Sequence, residues 1–282
     1  ANRANPKQPD GVRVSRCTTD GDYLDQFGVW GEGPGEFIWV TDIAFSSQGE
    51  VYLADEHSHR ISVFGADRQF IRTFGGHGSG PGELDRPSGL EFGTGGNLYV
   101  VDTLNHRVQA LTANGEFVSK WGALGDAEGQ FNMPWGIAID ISGDVYVTDW
   151  RNDRVQKFDA EGNFLMAFGA SGGDEGQFNR PNGIAVDADG DIYVCDWLND
   201  RAQVFDRTGG FKDVLIGHSG MSKWGQTLLD ANPDIKRKLE LAVQNIEPKR
   251  RFYRPVSIHV DKNGKVYVAD CYRHRVQIYQ KL

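Results

Sequence analysis

"VYVTDWRNDRVQKF", residues 145–158, decides how the chain is read. An apolar alternation runs into Asp149, a polar loop follows, and Arg154 opens a second alternation. The same frame stands at 98–111 ("LYVVDTLNHRVQAL"), 192–205 ("IYVCDWLNDRAQVF") and 266–279 ("VYVADCYRHRVQIY"). Asp55, Asp102, Asp149 and Asp196 follow one another at 47 residues, as do Gly28, Gly75, Gly122 and Gly169, and Gly35, Gly82, Gly129 and Gly176. A fifth copy carries Asp270, displaced by a further 27 residues. A fixed period of this length marks a repeat architecture.

Each unit divides into four short strands. Residues 135–139 ("WGIAI") form a nearly all-apolar strand, as burial on both faces demands. "SGD" turns the chain into the β-branched and aromatic run 145–148, and "RVQKF" alternates after the loop. "AEG" turns again into "NFLMAFG". Repeated four-stranded units predict an all-β, single-domain β-propeller spanning 1–282. Strand one recurs five times, near Thr41, Ser88, Trp135, Asn182 and Val256, so the count is five blades, with six as the alternative. The last blade ends after its third strand, and "DYLDQFG" at 22–28 is expected to supply the missing outer strand and close the ring. "VRVSRC" at 12–17 resembles a sixth copy of strand three and has no place in that scheme.

The matches "PWGIAID…VYVTDWRNDRVQKF" and "PNGIAVD…IYVCDWLNDRAQVF" resemble the NHL repeat, whose frame is Pro-x-Gly-Ile-Ala-Val-Asp, a Tyr-Val-x-Asp strand, then Asn-x-Arg-Val-Gln. The resemblance covers nearly everything except residues 1–11 and 218–254. It implies a propeller, commonly of six blades, without implying an activity. An amidating lyase that cleaves peptidyl-hydroxyglycine uses similar blades and holds zinc through His just after the Pro opening strand one. Here those positions are Thr41, Ser88, Trp135, Asn182 and Val256, so that three-His zinc site does not carry over. A divalent metal held by another set, such as His57, His218 and His259, is left open.

Thirty basic against thirty-nine acidic residues give a formal charge of −9, which argues against nucleic-acid phosphates and anionic membranes as partners. No run of eighteen apolar residues spans a membrane. The expected protein is soluble, with secretion or a periplasmic location left open. Cys17, Cys195 and Cys271 are an odd count without CxxC spacing, read as small buried residues, although Cys17 and Cys271 could pair in an oxidising compartment.

The recurring Asp and the Arg five residues later predict a charge-assisted hydrogen bond that ties each loop. His59, His106 and His274 share the position of Asp153 and Asp200, which marks a polar loop residue rather than a ligand. Function is therefore sought where units differ on the loop face. Trp39, Trp135, Trp150 and Trp197 map there and suit a sugar, an aromatic or a cation. With Asn182, Arg151 and Arg254 they form the expected ligand site, for a small molecule or alternatively a protein partner. His57 and Tyr272 are expected to approach this wall from across the ring closure. Residues 218–254, with a helical stripe from Pro233 and the basic run Lys249, Arg250, Arg251 and Arg254, are expected to form a lid that carries His218. On strand one, Glu91 and His259 replace Ala44, Ala138 and Ala185, and a titratable group there is costly unless hydrated, paired or used. Glu91, His259, His57, Tyr272 and His218 are the catalytic candidates of a lyase- or hydrolase-type reading.

Overall fold

The computed structural model describes residues 11–217, 227, 230–234, 237 and 251–281. His218, Lys249, Arg250 and most of the expected helical lid lie outside them. Among the described residues no helix is long and apolar enough to cross a membrane.

Two N-terminal strands, β1 (Val14–Cys17) and β2 (Tyr23–Phe27), precede a short parallel pair, β3 (Val29–Trp30) and β4 (Glu36–Phe37). Blade one is β5 (Val40–Phe45), β6 (Val51–Asp55), β7 (Arg60–Phe64) and β8 (Phe70–Gly75). Blade two is β9 (Pro87–Phe92), β10 (Leu98–Asp102), β11 (Arg107–Leu111) and β12 (Phe117–Trp121). Blade three is β13 (Pro134–Ile139), β14 (Val145–Asp149), β15 (Arg154–Phe158) and β16 (Phe164–Phe168). Blade four is β17 (Pro181–Val186), β18 (Ile192–Asp196), β19 (Arg201–Phe205) and β20 (Phe211–Leu215). Blade five is β21 (Pro255–Val260), β22 (Lys265–Asp270) and β23 (Arg275–Gln280). Each blade is an antiparallel meander, and the protein is a five-blade, all-β propeller.

The cores lie in the seams between blades. Tyr52, Ile61 and Val63 of blade one pack with Leu90, Leu98 and Val100 of blade two, and comparable clusters fill the next three seams. Burying each such side chain contributes about 1.5–3 kcal/mol. Innermost strands approach so closely that a Cβ at Gly136 would lie 2.3 Å from the Asn182 carbonyl oxygen, and one at Gly183 2.7 Å from the Ser257 Cα. This explains the glycine of the "P-x-G-I-A" frame. Gly35, Gly82, Gly129 and Gly176 hold positive φ of 74–77° in the connections between blades, a conformation that fixes glycine at that rung.

The N-terminal closure is corrected. Residues 22–27 do not complete blade five; β2 pairs with β1, Val14 opposite Phe27. This is the offset of Ile61 with Phe74, Val108 with Trp121 and Val155 with Phe168. "VRVSRC" and "DYLDQF" thus form a two-stranded sheet with the register of strands three and four, joined by a tight turn in which Gly21 N–H donates to the Thr18 carbonyl (3.0 Å). A hairpin closed over so few residues loses little chain entropy, so local pairing prevails over pairing with the far end of the chain. Val12, Val14 and Phe27 then cover Val40, Leu53 and Phe64 of blade one. Among the described residues blade five has three strands, and Val276 and Ile278 on β23 are 60% and 44% exposed. The three cysteines are free thiols, Cys195 buried and the other two exposed, so Cys17 and Cys271 do not pair.

Candidate binding face

The loop between strands two and three is built the same way in blades two to four, and blade five keeps its Asp–Arg pair and its backbone N–H cap. Asp149 accepts from the Asn132 N–H (2.7 Å), Asn152 Nδ2 (2.8 Å), Arg154 Nε (2.9 Å) and Gln156 Nε2 (3.2 Å). The matching ion pairs are Arg107 to Asp102 (2.7 Å), Arg201 to Asp196 (2.8 Å) and Arg275 to Asp270 (2.9 Å). Burial pulls the carboxyls of Asp102, Asp149 and Asp196 upward, while these hydrogen bonds and the guanidinium groups hold them down. Blade one departs from this pattern. Asp55 takes the N–H groups of Ile38 and Trp39 (3.0 and 2.9 Å), and Arg60 turns to the carbonyls of Glu32, Gly33 and Glu36.

The residue before the Arg has a task of its own. His59 and His106 Nδ1 and the Asp153 and Asp200 carboxylates each accept the backbone N–H that ends the next connection, from Arg86 (3.1 Å), Met133 (3.0 Å), Arg180 (2.7 Å) and Arg254 (2.9 Å). His and Asp alternate there because both accept a hydrogen bond and both tolerate the left-handed backbone, with φ of 52–55°.

On this frame Trp135 opens β13, while Trp150 and Trp197 follow Asp149 and Asp196. The three rings form a row, with centroids 6.4 and 6.3 Å apart and planes tilted 38° and 39°. All three are partly exposed. Arg180 lies over Trp150 (5.0 Å) and Arg254 over Trp197 (5.2 Å), each steered by the Asp that caps its own backbone. Arg151 stands 5.8 Å from the Trp150 ring. Beyond Arg254 the row continues through Tyr253 to Tyr272, rings 5.3 Å apart, with Arg273 over Tyr253. At that end Tyr253, Arg201, Arg251 and Arg273 help line a cavity of about 400 Å³. Guanidinium groups thus lie over two of the indole faces, each also paired with an aspartate of the preceding loop.

The other candidates fall into separate places. Trp39 stands apart from the row, against His57 (5.8 Å), whose Nε2 is 3.9 Å from Glu32. Tyr272 thus joins the tryptophan row through Tyr253 and Arg254, whereas His57 contacts Trp39. Asn182 is buried, and its carbonyl accepts from Thr148 Oγ1 across the seam (2.7 Å). His259 is exposed on β21, near Tyr267 (6.4 Å).

Glu91 has a neighbour that sequence reading missed. Asp42 occupies in "VTDIA" the rung of Gly89, Gly136 and Gly183, and its Oδ2 accepts the Leu90 N–H across the innermost seam (2.9 Å). Burial of its carboxyl raises Asp42 to about 6, against the Leu90 and Ile43 N–H groups that stabilise the anion. Burial first, and then the Asp42 charge, push Glu91 up to about 7. Two buried carboxyls held near neutrality, the charge of one raising the other, are candidates for proton transfer. Gly89 lies against the Trp135 backbone, a Cβ there being 2.7 Å from its carbonyl oxygen. Glu91 is two residues further along β9, about 7 Å at strand rise. Glu91 therefore lies along the strand that abuts one end of the tryptophan row, and Asp42 on the neighbouring innermost strand, β5.

The NHL repeat model matches residues 37–64, 84–111, 131–158, 178–205 and 252–279. No curated protein sequence matches the chain. Among solved structures it is similar to a streptogramin B lyase (12% identity, TM-score 0.60, 96% of this chain and 74% of that one). It is also similar to a catalytically inactive variant of virginiamycin B lyase from Staphylococcus aureus with quinupristin (13%, 0.57, 95% and 77%). A third is the gluconolactonase XC5397 of Xanthomonas campestris (13%, 0.58, 88% and 74%). At these identities the likeness carries the fold.

Proposed function

Taking as premise that the chain belongs to the family of NHL-repeat proteins, we propose that it binds a small organic anion with a flat face and acts on it by lyase or hydrolase chemistry. The observation that carries this reading is the row of Trp135, Trp150 and Trp197 with Arg180 and Arg254 stacked on it, on a protein whose net charge is −9. An acidic protein that gathers Arg151, Arg180, Arg254 and Arg273 beside exposed aromatic rings has concentrated its opposite charge at one wall. Such a wall stacks an aromatic or sugar ring and neutralises a carboxylate on it.

The ligand's ring lies along the indoles, its anionic group meets Arg180 or Arg254, and its far end points toward Glu91 and Asp42. Glu91, the member with the higher value, donates a proton as general acid, and ionised Asp42 accepts one as general base. The fold's occurrence in a streptogramin lyase and a gluconolactonase is in keeping with chemistry at such a face.

Indole fluorescence titrated with a panel of aromatic carboxylates and sugar acids or their lactones tests the reading. One member is expected to shift the emission, and Trp150→Ala and Arg180→Ala are each expected to weaken its binding at least about ten-fold, about 1.4 kcal/mol. A panel without any response overturns the small-molecule reading and leaves this face to a protein partner.

A further inference from the structure

The seam between blades one and two holds a second cluster, away from the tryptophan row. His59 stands in the loop from β6 to β7; His77 and Asp85 belong to the connection from β8 to β9. One nitrogen from each imidazole and one Asp85 oxygen all lie within 4.8 Å of one another. Asp85 Oδ1 is 3.2 Å from His59 Nδ1, its Oδ2 is 3.7 Å from His77 Nε2, and the ring centroids are 4.4 Å apart.

The repeat separates scaffold from surplus. His59 Nδ1 accepts the Arg86 N–H, as its counterparts do in the later seams. His77 stands where the other blades have Leu124 and Ser171, and Asp85 where they have Asn132 and Asn179. The backbone at these rungs does what it does in every blade: residue 77 bridges residue 84, Asp85 N–H donates to Asp102 (2.6 Å), and its carbonyl accepts from Leu104 (3.0 Å). The scaffold needs neither the His77 ring nor the Asp85 carboxylate. Both side chains nevertheless turn toward His59.

The hydrogen-bond arithmetic points the same way. With its lone pair on the Arg86 N–H, His59 Nδ1 has no proton for Asp85 Oδ1, and two acceptor atoms face each other at 3.2 Å. A cation touching both removes that repulsion. We propose that His59, His77 and Asp85 bind a divalent transition-metal ion of the zinc class. Two imidazoles and a carboxylate are its preferred donors, whereas Mg²⁺ and Ca²⁺ take oxygen. The 3.2 Å from His59 Nδ1 to Asp85 Oδ1 is close to the edge of about 3.4 Å in a tetrahedron with bonds of 2.0–2.2 Å, and the third donor lies within 4.8 Å of both. Three protein ligands leave a fourth position, on the open side where the His77 side chain is 69% exposed, for water or a ligand atom. Loading draws the His59 lone pair from the Arg86 N–H, and that lost bond weakens the site.

The test is calorimetric titration of chelator-dialysed protein with ZnCl₂, paired with the visible spectrum of the Co²⁺ form. His77→Leu and Asp85→Asn install residues that other blades carry at those rungs, so melting is expected to stay close to wild type. One Zn²⁺ per chain is expected, at least ten-fold weaker in either variant, with the Co²⁺ band lost in both. Wild-type protein that takes up no Zn²⁺, or a double variant that binds it as tightly, overturns the site.

Discussion

Blades one and three carry the same strand grammar and use its fixed positions differently. In blade three Asp149 is wholly buried and ties Arg154, Asn152, Gln156 and the Asn132 N–H together, and Gly136 lets the neighbouring strand approach. In blade one the equivalent Asp55 bonds mainly to backbone, Arg60 leaves it, and Asp42 stands at the glycine rung. The regular blade presents its variation outward, as Trp135 and Trp150 on the loop face. The irregular blade has moved a carboxylate, Asp42, inward, against the strand that carries Glu91 of blade two. Repetition marks scaffold, and each departure places a side chain the scaffold does not need.

The comparison breaks most readily at the buried aspartates. Asp149→Ala removes the carboxylate from a guanidinium, two amide groups and one backbone N–H, leaving the Arg154 charge without its counter-ion, and is expected to cost about 3–5 kcal/mol. Asp55→Ala strands neutral donors, and is expected to cost about 1–3 kcal/mol. Urea denaturation of the two variants checks this. Equal losses would show that the ion pair adds nothing to the loop and that blades one and three are equivalent there.

A smaller effect is expected on the loop face. Trp150→Ala removes a partly exposed ring whose burial partners are Arg180 and its neighbouring indoles, so melting should shift by only a few degrees. The expected signature is the ten-fold loss of ligand affinity with the blade intact. Melting that collapses instead makes the tryptophan row a packing device.

How much of this could be read from the sequence depends on whether partners share the repeat's register. Strand order, seam residues and the Asp149 to Arg154 pair were legible, because each lies at a constant offset along the chain. The N-terminal hairpin is hidden because "DYLDQFG" fits the outer-strand frame of any blade; only the common offset of Val14 with Phe27 shows that "VRVSRC" is its partner. Asp42 is less conspicuous because blade one keeps the common Ala44 two residues on, although "VTDIA" against "PWGIA" displays the change. Arg180 and Arg254 cover rings 30 and 57 residues earlier, a contact between a connection and the preceding loop that no local pattern records.

The inward carboxylates predict a pH dependence of stability whose sign follows from their direction. Asp42 and Glu91 are raised from 3.8 and 4.5 to about 6 and about 7. Between pH 4 and 7 the folded protein holds protons that the unfolded chain has released, so stability falls as pH rises through that window. Glu91→Ala, the residue of three other blades, is expected to flatten this slope, and Asp42→Asn to flatten it further. An unchanged slope would place both carboxyls in open water.

The smallest expected effect tests whether His and Asp are interchangeable caps. His106 Nδ1 accepts the Met133 N–H at 3.0 Å, as Asp153 and Asp200 do for Arg180 and Arg254, and all three backbones are left-handed. His106→Asp should therefore change stability by no more than about 0.5 kcal/mol at pH 7. His106→Ala removes the acceptor and puts a Cβ residue without a compensating bond in the left-handed region, for about 1–2 kcal/mol. Burial lowers the His106 value below 6.5, so its contribution is complete above the unfolded value and fades as pH falls through the folded one. The Asp variant keeps an ionised acceptor there, and is expected to outlast wild type as pH is lowered from 6 toward 5. Thermal melts of the three proteins at pH 5 and pH 7 decide it. An Asp variant as unstable as the Ala variant at both values would mean that the imidazole packs rather than caps.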